Sequence, residues 1–217
     1  GGGNCWVTST FDPELNLIYV PTGNPQPVIA HKNREGANLF TGSIVALNPD
    51  TGKMAWYFQS SPHDTHDWDS TQTPVLFDGE INGQKRKLVA QAARNGHFFV
   101  LDRVNGKNIV SAEFVKTNWA MGYDAKGQPI PNPAKMPQVD GTLVSPAQAG
   151  GTNWPPPSFS PLIDPSAVSV PSTIPPIGNF HPVSSEASAR SNFCAVRFTR
   201  LTTSSVSSFA TETLGHC

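Results

Sequence analysis

The sequence is poor in charge. Lysine and arginine number 15 and aspartate and glutamate 16 among 217 residues, 14% in all, with a formal net charge of −1; an ordinary soluble domain carries about a quarter. No basic field exists to hold a polyanion, which excludes nucleic acid as a partner. No apolar run approaches the roughly 20 residues that a membrane-crossing helix needs, so no transmembrane segment is expected. Long stretches of helical period are missing as well. Cysteine is scarce: Cys5, Cys194 and Cys217 have neither zinc-site nor redox-pair spacing, and three cannot close a disulfide framework. The chain opens on Gly1, in what reads as a loop, without initiator methionine or signal peptide, so its start says nothing of compartment.

Glycine (18) and proline (21) are plentiful, which favours short strands and many turns. Strand-like runs occur at 17–20, 42–47, 73–77, 87–90 and 97–101. Between them lie Asp12-Pro13, Asp-Thr-Gly at 50–52, Asp78-Gly79, Asn82-Gly83 and Asn105-Gly106, all turn chemistry. The chain reads as all-β.

An internal repeat narrows the architecture. SIVALNPDTGK (43–53) and HFFVLDRVNGK (97–107) superimpose without a gap at an offset of 54 residues. Each is a strand ending in Leu-Asn or Leu-Asp, then a turn closed by Gly-Lys. Trp56 follows the first at a spacing where a strand could bring its ring back over that turn. A repeat of this length holds about four short strands, which suggests one β-propeller blade per repeat. Two similar hairpins in a sandwich are the alternative.

Composition divides the chain at residue 161. Residues 162–217 are rich in Ser, Thr and Pro, contain no lysine, and show neither strand alternation nor helical period. Such a segment buries too little apolar surface to offset its ordering entropy, and is expected to be a disordered tail.

Five groups could carry chemistry. GGGNCW (1–6) lets backbone approach something closely and ends on the aromatic Trp6, although Gly-rich turns beside tryptophan also occur at blade junctions. PTGNPQP (21–27) holds Asn24 at a strand end, where it serves the turn or offers a carbonyl oxygen to a hard cation. HDTHDWD (63–69) crowds two histidines and three aspartates into seven positions. No further His or Cys set accompanies it to complete a zinc site, and the EF-hand's central glycine and final glutamate are missing. A solvated acidic loop is its bland reading. Arg94-Asn95-Gly96 sets a cation in a turn ahead of an apolar strand. GGTNWPPPSFSP (150–161) forms a stiff aromatic platform, or a loop packed on the domain end.

Taken in this order, the groups resemble the quinoprotein alcohol dehydrogenases, which use pyrroloquinoline quinone (PQQ). GGGNCWVTSTFDPELNLIYVPTGNP is similar to that family's segment from the quinone-stacking tryptophan to the metal-binding asparagine. SPHDTHDWDSTQTPVLFD resembles its active-site loop, ARNGHFFVLDRVNGK the strand after its quinone-contacting cation, VALNPDTGKMAW its propeller-locking tryptophan motif, and GGTNWPPPSFSP a later cofactor loop. The resemblance covers residues 1–161.

It implies a partial β-propeller, about three blades of an eight-bladed molecule with quinone and metal on its axis. Trp6 would be the floor on which the quinone stacks. Asn24 would give its side-chain oxygen to the metal, and Asp67 would both neighbour the metal and accept the alcohol's hydroxyl proton as hydride passes to the quinone C5. Arg94 would stabilise charge developing on the quinone oxygens; Asn153 and Trp154 would contact the cofactor edge. Asp69 adds a carboxylate two residues after the base, a pattern shown by lanthanide-using members and by some calcium- or magnesium-using ones. The implied metal is therefore Ca2+ or a lanthanide ion. His63, Asp64 and His66 are expected to serve the loop. The resemblance further implies a small alcohol substrate, a cytochrome c-type electron acceptor and a periplasmic location.

Two other functions remain open. One is a sugar dehydrogenase of the glucose-oxidising type. The other is a non-catalytic propeller scaffold, which would keep Trp56 but has no need of Asn24, Asp67, Arg94 and Asn153 together. The resemblance lacks the family's upstream metal-binding glutamate and stops abruptly at Pro161. The expectation is a fragment, with a frame change or truncated gene prediction after Pro161, inactive by itself.

Overall fold

In a computed structural model of the chain, residues 1–81 and 83–160 are described in full, together with the backbone of 167–171, 193–200 and 209–214. The first antiparallel sheet orders β1 (Thr10–Asp12), β2 (Leu17–Pro21), β3 (Ser43–Leu47) and β4 (Met54–Gln59) as sequential neighbours. The second repeats the meander with β5 (Val75–Ile81), β6 (Gln84–Ala92), β7 (His97–Asp102) and β8 (Asn108–Glu113). A hairpin of β9 (Ala120–Tyr123) and β10 (Pro129–Pro131) follows. A third four-stranded sheet joins β11 (Ser158–Phe159) to β12 (Ala167–Pro171), β13 (Phe193–Arg200) and β14 (Phe209–Leu214).

The 54-residue repeat is a repeat of blades. Strands β4 and β8 start and end 54 residues apart, and the register slips between Ala46 and Leu47 in one blade and between Val100 and Leu101 in the other. Each hairpin lies in its own four-stranded meander of sequential strands, and the two meanders repeat in strand order and register, which is the pattern of blades rather than of two hairpins in a sandwich. The chain is a partial propeller.

Period-two alternation explains how the blades stack. On β7, Phe98 and Val100 face one way with Leu88, Ala90 and Ala92 of β6. Phe99 and Leu101 face the other, with Val89, and meet Leu17, Tyr19, Ile44, Trp56 and Phe58 of the first blade. The second blade is thus buried on both faces. Arg103 joins the blades by charge: its guanidinium donates to the Asp12 carboxylate at 2.7 Å, the Asp78 carboxylate at 2.5 Å and the Phe77 carbonyl at 2.9 Å, while its own carbonyl accepts from Tyr19 Oη at 2.9 Å.

Two expectations need correction. Asp78-Gly79 is no turn; it continues β5, pairing with Lys87 and Arg86, and the chain reverses at Gly83 instead. Glycine is useful at position 79 because Leu88 and the Phe77 ring lie 3.3 and 3.5 Å from where a Cβ would sit. Trp56 does not fold back over its own turn. Its ring covers Gly106 in the next blade, where a Cβ would fall 2.6 Å from it, and its indole N–H donates to the Arg103 carbonyl at 3.2 Å. Beyond residue 161, strands β12–β14 are described by their backbone, and their Val, Phe and Thr content suits strands. The rest of 162–217, on which the expectation of a disordered tail also bears, lies outside the described residues.

Candidate active site

Antiparallel alternation sends the ends of β2, β4 and β6 to one rim, and each is followed by a segment carrying a candidate residue. After β2, Thr22 holds the turn through its hydroxyl, which donates to the Phe40 carbonyl at 2.6 Å. Gly23 N donates to the Asn4 carbonyl at 2.9 Å, and Gly3 N to the Asn24 carbonyl at 2.8 Å. These bonds fasten the Gly-rich opening segment beside Asn24, which is buried. Trp6, on that segment, is 49% exposed, leaving an aromatic face open next to the rim.

The β4–β5 connection is built around Asp64. Its buried carboxylate accepts from His66 N and Trp68 N, both at 2.8 Å, curling the loop as Asx-type turns do. Burial pushes the Asp64 carboxyl up to about 6. The Trp68 ring is buried and donates to the Ala147 carbonyl at 3.1 Å; His66 stacks on it at 4.4 Å and contacts the Lys135 carbonyl at 3.0 Å. Burial lowers the His66 pKa. Asp64 and His66 are therefore loop-forming groups, as expected. With Trp68 as the buried peg, Asp67 adopts a φ of 65° and both it and Asp69 turn toward Asn24.

Asp67 Oδ1 accepts from the Asn24 side-chain amide, and Asp69 Oδ1 from Asn24 N at 2.8 Å. Space is tight: a Cβ on Gly23 would stand 2.5 Å from Asp69 Oδ1. The other Asp69 oxygen lies 3.5 Å from Arg94 Nη1. Arg94, just after β6, is held by Gln72, which accepts from its backbone N–H at 3.1 Å, and by the Gln148 carbonyl, which accepts from Nε at 2.8 Å.

Asn24, Asp67, Asp69 and Arg94 thus converge, though 70 positions separate Asn24 from Arg94. Asn153 and Trp154 are not bonded to that cluster. The Asn153 amide donates to the Ala149 carbonyl at 3.0 Å and accepts from Trp154 N at 2.9 Å, while the Trp154 ring is 60% exposed. Their loop reaches the cluster through Gly151 N, which donates to the Arg94 carbonyl at 3.0 Å. The sequence reading missed Gln148, whose side-chain amide donates to Asp67 Oδ2. Its place just ahead of the Gly150-Gly151 pair was the available signal.

The donor chemistry fits a hard cation. Two carboxylates and one amide meet, and a 180° turn of the Asn24 amide exchanges its nitrogen for its oxygen against Asp67. Asn24 supplies one oxygen and each aspartate one or two, which is part of a calcium-type shell of six to eight. Among the described residues no group of three or more His, Cys, Asp or Glu side chains is placed to hold a metal ion by itself.

A family profile for PQQ proteins, described as glucose/ethanol/alcohol dehydrogenase, beta-propeller domain, matches residues 1–138. The quinohemoprotein alcohol dehydrogenase of Comamonas testosteroni is 48% identical over 164 residues, covering 74% of this chain and 23% of that protein. Its crystal structure superimposes with a TM-score of 0.72 at 46% identity, over 79% of this chain and 26% of that one. The 1-butanol dehydrogenase (cytochrome c) of Thauera butanivorans is 45% identical over 159 residues, 68% of this chain and 23% of that protein. A europium-containing methanol dehydrogenase matches with a TM-score of 0.74 at 33% identity, over 79% of this chain and 30% of its own. The chain spans about a quarter of the length of these relatives.

Proposed function

The chain belongs to the PQQ-dependent glucose/ethanol/alcohol dehydrogenase family of β-propellers, and on that premise we propose that it forms part of a dehydrogenase oxidising a primary alcohol to an aldehyde. The observation that carries this reading is the convergence of Asn24, Asp67, Asp69 and Arg94 on one rim. When bound, the quinone supplies the two-electron acceptor and the metal ion, Ca2+ or a lanthanide, the Lewis acid.

The chain's own residues divide the remaining work. The Asn24 side-chain oxygen and the carboxylates of Asp67 and Asp69 would hold the metal. Asp67 Oδ1 faces Asn24, which leaves Oδ2 as the proton acceptor for the substrate hydroxyl, with Gln148 fixing its direction. Arg94 would compensate negative charge developing on the cofactor, and Asp69 keeps that guanidinium aimed at the site. Trp6 offers the stacking plane, with Asn153 and Trp154 at the cofactor edge. A scaffold has no use for four such polar groups brought together; a sugar substrate remains the second enzymatic reading within the family. A cytochrome c-type acceptor and a periplasmic site of action complete the proposal, the former supported by the name of the Thauera relative.

The test is reconstitution of the full-length protein with PQQ and either calcium or a lanthanide, followed by dye-linked oxidation of primary alcohols and of glucose. Alcohol oxidation that needs both quinone and metal is expected. Asp69→Asn should weaken lanthanide-supported activity more than calcium-supported activity, because a trivalent ion gains more from the extra anionic oxygen. Glucose oxidation alone, or none with any metal, would overturn the reading.

A further inference from the structure

The proposed site uses Asp67 and Asp69 of the 63–69 loop and leaves its first histidine without chemistry. In the fold that residue has a partner 32 positions away. His31 lies in a short 3-10 turn, His31–Asn33, of the segment that follows Asn24. Its Nδ1 stands 3.4 Å from His63 Nε2, and the two rings meet at an interplanar angle of 87° with centroids 5.6 Å apart.

The remaining nitrogen of His63 fixes its tautomer. His63 Nδ1 lies 2.6 Å from the Gly36 carbonyl, which can only accept, so Nδ1 carries the proton and Nε2 presents a lone pair. A backbone carbonyl on the far nitrogen is the outer-sphere partner that metal-bound imidazoles usually have. His31 Nδ1 must then be the donor between the rings, and 3.4 Å is long for that bond, whose usual range ends near ~3.2 Å. As a ligand bite the distance fits better. Two nitrogens each about 2.0–2.1 Å from a tetrahedral zinc lie about 3.3–3.4 Å apart. Burial, then the charges of His63, Lys32 and Arg34, lowers the His31 pKa, which favours the neutral form a metal requires.

We propose that His63 Nε2 and His31 Nδ1 form a two-histidine site for a borderline-soft divalent cation of the zinc type, separate from the oxygen cluster at Asn24. On binding, the ring proton of His31 moves from Nδ1 to Nε2, and the cation takes the lone pair so freed. Water fills the other two positions of the tetrahedron, since no third His, Cys, Asp or Glu joins the pair among the described residues. The ion clips the segment after Asn24 to the loop that carries Asp67 and Asp69. Soft character separates this site from the hard-cation cluster, because imidazole suits zinc and carboxylate suits calcium.

Titration of the untagged 217-residue chain with ZnCl2, against a chromophoric chelator, tests the site. One zinc per chain is expected, weakened at least about tenfold in both His31→Gln and His63→Gln, since even an outer-sphere partner is worth that much. CaCl2 in excess should not displace it. Ring-nitrogen NMR of the unmodified chain gives a readout that needs no variant: zinc should shift His63 Nε2 and His31 Nδ1, leaving His66 and His97 unmoved. Absence of zinc binding at about 0.1 mM, equal affinity in the variants, or loss in only one of them would overturn the proposal.

Discussion

At the scale of single residues, burial decides which polar groups have chemistry to offer. His97 is 1% exposed, its Nδ1 lies 2.6 Å from the Tyr123 hydroxyl, and its Nε2 has no hydrogen-bond partner. Burial pushes its pKa down to about 4 from an ordinary 6.5. The unfolded chain therefore binds the proton first as acid is added. The contribution of His97 to stability is complete above pH 6.5 and is lost as pH falls from there toward 4, on the order of 3 kcal/mol in all. Urea midpoints at pH 7 and pH 5 should show a drop in the wild type that is smaller in His97→Gln. An equal drop in both would assign the acid sensitivity elsewhere. Gln148 and His31 illustrate what residue-level reading of a sequence cannot reach. Their partners lie 81 and 32 positions away; the Gly150-Gly151 pair marks the loop of Gln148, but nothing beside either residue identifies its partner.

At the scale of elements, the blade junction is held by a charged group as well as by apolar stacking. Burial alone would raise the Asp12 pKa, yet the Arg103 contact and the N–H groups of Leu15 and Glu14 hold it below the usual carboxylate value. Arg103→Leu would leave the Asp12 carboxylate buried without its cation and is expected to cost about 3–5 kcal/mol, the usual penalty for breaking a buried pair. Thermal unfolding of that variant beside Arg103→Leu combined with Asp12→Leu checks the account, because removing both charges should recover part of the loss. The strands themselves were largely legible. Runs of Val, Ile, Leu and Phe bounded by Gly, Asn and Asp gave β2, β3, β6 and β7 to within about three residues at either end. Asp78-Gly79 misled because its turn chemistry is local, whereas its pairing with Lys87 and Arg86 depends on where the hairpin closes. The β9–β10 hairpin went unread because its short strands, AMGY and PIP, carry no alternation.

At the scale of the whole molecule, the repeat at 54 residues made the propeller readable, since each blade needs a neighbour to cover its apolar faces. The first blade shows the other side of that rule: Phe11 and Phe40, on the face turned from the second blade, are 52% and 42% exposed. In a longer propeller a preceding blade would cover them. The candidate site was legible as a set of residues only through their order along the chain. Asn24, Asp67, Asp69 and Arg94 share no local pattern, and they meet because even-numbered strands end on one rim. What remained unreadable was the second layer, with Asp64 curling the loop, Trp68 anchoring it and Gln148 holding the carboxylate that faces the substrate.

The central claim is that Asp67 takes the proton of an alcohol. Steady-state oxidation of a primary alcohol by the PQQ- and metal-loaded full-length protein, wild type against Asp67→Asn, tests it most directly, with bound quinone measured from its absorption in both. The account predicts a fall in kcat of about 10²–10⁴-fold in the variant with the quinone still bound. A kcat unchanged in the quinone-loaded variant would contradict it.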